Sequence, residues 1–256
     1  MAKQDGIPRS RIVRTVVQRL EDLRRAGITH LPKPKRPPAG PTDRAVPCPV
    51  VAPSSGEPAG PADQPDDRAA ALARLERKVA ACRRCAELAR TRTQTVFGDG
   101  NPNAELVFMG EAPGGDEDRL GRPFVGAAGQ LLTDIIVKGM KLRREDVYIL
   151  NTIKCRPPGN RTPAPEEIAN CREYLDGQLA ILRPKYLCCL GAVAAQSLLD
   201  TTTPIGRLRG RVHEHHGIKV VCTYHPAYLL RTPSAKRQTW DDIQLLMAEM
   251  GLEVKR

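Results

Sequence analysis

Four short apolar runs, at residues 106–109, 147–153, 186–190 and 219–223, are each followed by a loop and then by a stretch of helical periodicity. Those helices are expected from about 127, at 165–182, at 192–199 and at 235–250. Strands alternating with helices in this way require crossover connections, which place parallel strands in one sheet and helices on both its faces. The expected fold class is therefore α/β, a three-layer αβα sandwich with a central four-stranded parallel sheet. A further helix over 68–90 carries the pair Cys82 and Cys85.

The residues that do not fit an ordinary core fall at one edge of that sheet. Gly110-Glu111, Asn151, Gly191 and His225 all stand at or just past the carboxyl ends of the four strands. Open parallel sheets bind ligands at that edge. The first strand runs into a turn-rich segment, 110–126, with five glycines, two prolines, the acids Glu111, Asp116, Glu117 and Asp118, and the lone aromatic Phe124. Such a segment is too long and too glycine-rich to serve only as a connector. Neither a GxxxxGK[ST] loop nor a strand-linked GxGxxG occurs, which sets aside a P-loop or dinucleotide enzyme.

Charge separates the chain into unequal parts. Of a net +11, residues 1–45 hold 11 Lys and Arg against 4 Asp and Glu, and the remainder holds 29 against 25. A polyanionic partner would thus meet local patches on the main domain, with non-specific attraction from the tail. Residues 1–30 contain a basic amphipathic helix, and 31–68 form a Pro- and Ala-rich linker of disordered composition in which Cys48 is an ordinary thiol. The folded domain is expected over 69–256. No run of about 18 apolar residues is present, so the expectation is a cytoplasmic protein with no membrane partner.

The eight cysteines point to metal or redox chemistry more than to disulfides. Cys82 and Cys85 make a C-x2-C pair, and Cys155 and Cys171 lie 16 residues apart. Four thiolates can hold either Zn²⁺ or a [4Fe–4S] cluster, and spacing alone leaves both open. Arg83, Arg84, Lys154, Arg156 and Arg172 would offset the charge of such a site, whereas Cys188, Cys189 and Cys222 lie within apolar strands and read as core. The metal-like HEHH at 213–216 reads as solvated surface in a hairpin.

Three segments, GEAPGGDEDRLGRPFVGAAGQLL, NTIKCRPPGNRTPAPEEIANC and HPAYLLR, together with the cysteine spacing, resemble the iron–sulfur family 4 uracil-DNA glycosylases over about residues 69–250. That resemblance implies a monomeric repair enzyme acting on uracil in single- or double-stranded DNA, with a structural [4Fe–4S] cluster on Cys82, Cys85, Cys155 and Cys171. It implies that Asn151 reads the uracil edge, Phe124 stacks on the base and His225 contacts O2. Ala112 with Glu111 would line the pocket, and Glu117 would fill the space beside C5, where thymine carries its methyl. Glu111 would favour the oxocarbenium-like sugar and orient water. Ala112 stands where family 1 relatives carry an aspartate. Gly191 at a helix N-terminus is suited to a phosphate, and Leu229, Leu230 or Arg231 to entering the base stack. The tail is expected to recruit a repair or replication partner. The alternative within the fold is a non-catalytic or covalently trapping uracil-DNA-binding protein. Trapping relatives carry a histidine in the loop after the second strand, and residues 154–165 contain none.

Overall fold

A computed structural model describes residues 65–254. The expected N-terminal helix, and all of the linker before Pro65, lie outside the described residues. Six strands form one sheet in the order β1-β3-β2-β4-β6-β5. The four parallel members are β2 (Leu106–Gly110), β3 (Tyr148–Asn151), β4 (Tyr186–Leu190) and β6 (Ile218–Thr223). They are the four apolar runs of the sequence. The sheet is nonetheless mixed, because β1 (Asp99–Gly100) and β5 (Val212–His215) pair antiparallel at its two edges. β1 has only two residues and β5 pairs through His213, Glu214 and His215, so neither shows the apolar pattern of a buried strand.

Side-chain alternation along the strands creates two cores. Val107 and Met109 of β2 face a layer of α1 (Pro65–Ala80), α5 (Pro165–Leu182) and α6 (Ala192–Leu199), with Leu72, Val79, Leu175, Leu182 and Leu198 packed against them. Leu106 and Phe108 face the opposite layer, where α4 (Ala127–Asp134), a π turn (Ile135–Gly139) and α9 (Lys236–Glu249) contribute Leu132, Ile136, Ile243 and Leu246. Strands covered on both faces read as unbroken apolar runs, and LVFMG is buried at every position. Cys188, Cys189 and Cys222 are fully buried in these cores.

The helix expected over 68–90 is two helices. α1 ends at Ala80 and α2 (Ala86–Thr91) begins after Cys85, so the C-x2-C pair lies in the turn between them rather than on a helix. Three short helices were also not expected: α3 (Gly115–Leu120), α7 (Ile205–Leu208) and α8 (Pro226–Arg231). Each spans four to six residues, too short to show a period.

Candidate active site

The β2–β3 register aligns Gly110 with Asn151, so the two strands end side by side. Thr152 donates to the Gly110 carbonyl through both its backbone N–H and its hydroxyl, at 2.9 Å each, and Ile153 N–H reaches the Glu111 carbonyl at 3.2 Å. These bonds fix the strand ends beside a cavity of about 440 Å³. Glu111, Ala112, Glu117, Phe124, Asn151, His225 and Arg231 all line it, although they come from three separate parts of the chain.

Asn151 is only 1% exposed, and its Oδ1 has no hydrogen-bond partner. An orphaned buried acceptor costs about 1–3 kcal/mol, so it marks the place where a donor is meant to arrive. Gly110 leaves room for it: a Cβ there would lie 2.4 Å from Asn151 Oδ1 and 2.6 Å from Phe124 Cζ.

Phe124 is buried with φ at 52°, a left-handed conformation that costs a large side chain about 1–2 kcal/mol. Two features hold it there. Arg144 donates to the carbonyls of Pro123 and Phe124 at 2.9 and 3.0 Å while bonding Thr133 Oγ1 at 2.8 Å. Gly129 permits close approach, since a Cβ would sit 1.9 Å from the Phe124 oxygen. The Phe124 ring faces that of His225 at 5.5 Å between centroids.

Glu117 organises the rest of the loop. Its Oε1 accepts from Val125 and Gly126 N–H at 2.9 and 3.0 Å, and its Oε2 from Gly114 N–H at 3.1 Å. The carboxylate thus spans α3 and joins both ends of the loop while lining the cavity. Buried Asp118 does similar work outward, accepting Thr93 N–H at 3.0 Å on each oxygen.

His225 caps α8, its Nδ1 accepting from Ala227 N–H at 3.1 Å. With Nδ1 engaged as an acceptor, the neutral ring carries its proton on Nε2. Burial, with Arg231 adding to it, pushes the imidazole pKa down to about 4, so the ring is neutral at physiological pH. Burial alone raises the Glu111 carboxyl above its ordinary value. Gly191 does not line the cavity. It stands behind it at φ 95°, where a Cβ would lie 3.1 Å from His225 Cβ.

The expected intercalating group divides. Leu229 is 1% exposed and packs with Leu131, Ile135, Trp240 and Ile243, so it is a core residue and cannot enter DNA. Leu230 is 47% exposed beside Arg231 at the cavity mouth. In a helix of this length adjacent residues point to different faces, which residue type alone does not reveal.

Beside this cavity the four cysteines Cys82, Cys85, Cys155 and Cys171 ring a second, smaller one. Arg92 Nη1 donates to Cys155 Sγ at 2.8 Å, and Asn170 Nδ2 to Cys85 Sγ at 3.7 Å. Burial pushes the Cys155 thiol up and the Cys171 thiol up to about 11. Lys154 lies between the two cavities, 1% exposed, with its ammonium 2.6 Å from the Asn151 carbonyl. Among the described residues no three His, Cys, Asp or Glu converge on a single metal ion. HEHH is not wholly solvated: its first three residues lie in β5, and His213 Nε2 lies 2.7 Å from the Leu208 carbonyl.

Sequence reasoning missed Arg144, Asn160, Arg161 and Thr162. Arg161 lines the cavity while pairing with Glu167 and Glu87, each at 2.7 Å. An arginine in a basic chain carries no local sign that it will be fixed, so only the fold could single these out.

Comparison with known proteins places this geometry in context. A family model described as the uracil DNA glycosylase superfamily matches residues 97–244. The chain is 47% identical to a type-4 uracil-DNA glycosylase of Archaeoglobus fulgidus over 178 residues, covering 66% of this chain and 88% of that protein. It is 44% identical to the Thermotoga maritima type-4 enzyme over 174 residues, 66% of this chain and 90% of the relative. A Sulfurisphaera tokodaii type-4 enzyme is 39% identical over 193 residues, 72% and 87% of the two chains. No helix among the described residues is long and apolar enough to cross a membrane.

Proposed function

The chain belongs to the uracil DNA glycosylase superfamily, and on that premise we propose that it is a DNA repair enzyme that hydrolyses the N-glycosidic bond of uracil in DNA. The observation that carries the reading is the buried, unpartnered Oδ1 of Asn151. Uracil N3–H supplies the missing donor, whereas the cytosine edge offers a lone pair at N3 and leaves the acceptor unmet. That difference is worth roughly 1–3 kcal/mol or more.

The base must leave the stack to reach this depth. Leu230 fills the space it vacates, with Arg231 beside it. The flipped uracil then lies on the Phe124 ring. Glu117 and the loop it clamps, with Ala112, occupy the surroundings of C5 and refuse a methyl.

As the bond from C1′ to N1 breaks, its electron pair passes into the uracil ring and charge builds on O2. His225 donates from Nε2 to that oxygen without first needing a proton from solvent, and the hydrogen bond strengthens as charge grows. Glu111 faces the sugar, where its carboxylate favours the cationic C1′ and orients water for attack. Burial raises its basicity, which suits acceptance of the water proton. The new C1′–O bond completes an abasic site and frees uracil.

Cys82, Cys85, Cys155 and Cys171 hold a [4Fe–4S] cluster in this reading. The four thiols line one shared cavity, and Arg92 and Lys154 also line it, where they would offset the charge of the thiolates. Bound there, the cluster supplies a structural cross-link between the α1–α2 turn, the loop after β3 and α5. The domain, from α1 onward, acts as a cytoplasmic monomer on single- or double-stranded DNA, with the residues before α1 serving to recruit a repair partner.

The test is excision from oligonucleotides carrying one uracil, thymine or cytosine. Alkali-labile cleavage confined to uracil, and abolished by Asn151→Ala, is the expected result. No excision by folded, iron-loaded protein would remove the proposal.

A further inference from the structure

We propose that Lys154 is a positioning residue that couples the four-cysteine site to the uracil-reading side chain of Asn151. The proposal rests on the role given to Asn151 above. Lys154 is 1% exposed, and nothing in the excision chemistry uses it. Its Nζ donates to the Asn151 carbonyl at 2.6 Å, a bond buried at both ends. It lines the small cavity that the four cysteines share, and its carbonyl accepts Val96 N–H at 2.8 Å. It directly precedes Cys155. One residue therefore touches a cysteine of the ring through its main chain and the reader of the pocket through its side chain.

The geometry at Asn151 makes that contact consequential. The carboxamide Oδ1 is buried with no hydrogen-bond partner to fix its position. Its direction is inherited from the main chain, and the residues after it turn sharply to bring Lys154 back under the carbonyl. Without the ammonium, the buried carbonyl loses a charge-assisted bond and the peptide is free to tilt. A tilt there moves Oδ1 away from where N3–H arrives. The main chain of the same residue runs directly into Cys155, so a cluster held on the four cysteines would fix the loop from which the side chain reaches the Asn151 carbonyl.

The experiment measures binding, not turnover. Full-length, iron-loaded wild type, Lys154→Met and Lys154→Gln are titrated with duplexes holding one 2′-fluoro-2′-deoxyuridine or 2′-fluoro-2′-deoxycytidine, which resist hydrolysis. Iron content and the visible absorption band are recorded on the same samples. Lys154→Met is expected to keep its iron and its affinity for undamaged duplex while losing about tenfold of its preference for uracil. Combined with Asn151→Ala it should add nothing further, because both act on one contact.

Iron stripped from wild type, with the fold followed by circular dichroism, should lower the preference to a similar degree. A Lys154 variant that holds iron and keeps wild-type preference overturns the coupling, as does stripped, folded wild type that keeps it. If Asn151→Ala itself leaves the preference intact, the assignment of Asn151 has failed instead.

Discussion

Adding one methyl group at Gly110 changes the pocket without removing any of its polar atoms. The φ of Gly110 lies outside the left-handed region, so alanine meets no backbone penalty there. Its Cβ would, however, stand 2.4 Å from Asn151 Oδ1 and 2.6 and 2.7 Å from Phe124 Cζ and Cε2. Ordinary van der Waals contact begins near 3.4 Å, so the carboxamide must retreat by about 1 Å or the ring must swing aside. Neither movement is free, because Asn151 is buried at a strand end and Phe124 is pinned by Arg144 and Gly129. Overpacking of this kind costs about 1–3 kcal/mol of stability. Misplacing a reacting partner by about 1 Å costs on the order of 10² in rate. Gly110→Ala should thus lower kcat/KM on uracil DNA by about two decades and reduce Tm by several degrees. Gly217→Ala is the control: at φ 80° in the β5–β6 hairpin, with nothing within 4 Å, it strains the backbone alone and should leave excision unchanged. Wild-type excision by folded Gly110→Ala would refute the placement of both side chains.

Three further outcomes follow from the same geometry. Because the His225 pKa lies near 4, below the ordinary 6.5, its neutral form contributes stability that is full above about pH 6.5 and lost as pH falls toward 4. Urea unfolding at pH 7 and 4.5 should show wild type losing more stability than His225→Gln. Its pH–rate profile should show no acid limb near 6.5 that the substitution removes, and the substitution itself should cost about 10²–10³ in kcat. Leu229→Ala should destabilise the fold by about 2–5 kcal/mol, whereas Leu230→Ala should leave Tm unchanged and slow excision more on duplex than on single strands; equal effects on the two substrates would remove the wedge. Cys171→Ser should abolish the visible absorption of the purified protein and lower its Tm, and an unchanged iron content would exclude Cys171 as a ligand.

Much of this protein is determined by sequence alone, because the relevant physics is local. The runs at 106–109 and 186–190 are apolar throughout and 220–222 forms the apolar centre of a third, as strands covered on both faces require, and Pro165 and Gly191 mark helix starts within one residue. Glu111, Asn151 and His225 were legible as a site because strand ends in a parallel sheet converge. The antiparallel edges β1 and β5 were not, since edge strands bury little and carry no strong pattern.

Tertiary structure alone decided which neighbours of a motif residue do the work. Leu229 and Leu230 are the same residue type, and only packing against Trp240 and Ile243 assigns one to the core and leaves the other to solvent. Glu117 read as a space-filling acid, yet its three amide bonds depend on where residues 114, 125 and 126 meet. Lys154 read as one of several cations near the cysteines, and its bond to Asn151 exists only because the chain folds back after β3. Composition and period record how a residue prefers to be placed along its own element. Contacts between elements depend on the path of the chain through space, which no single stretch of sequence contains.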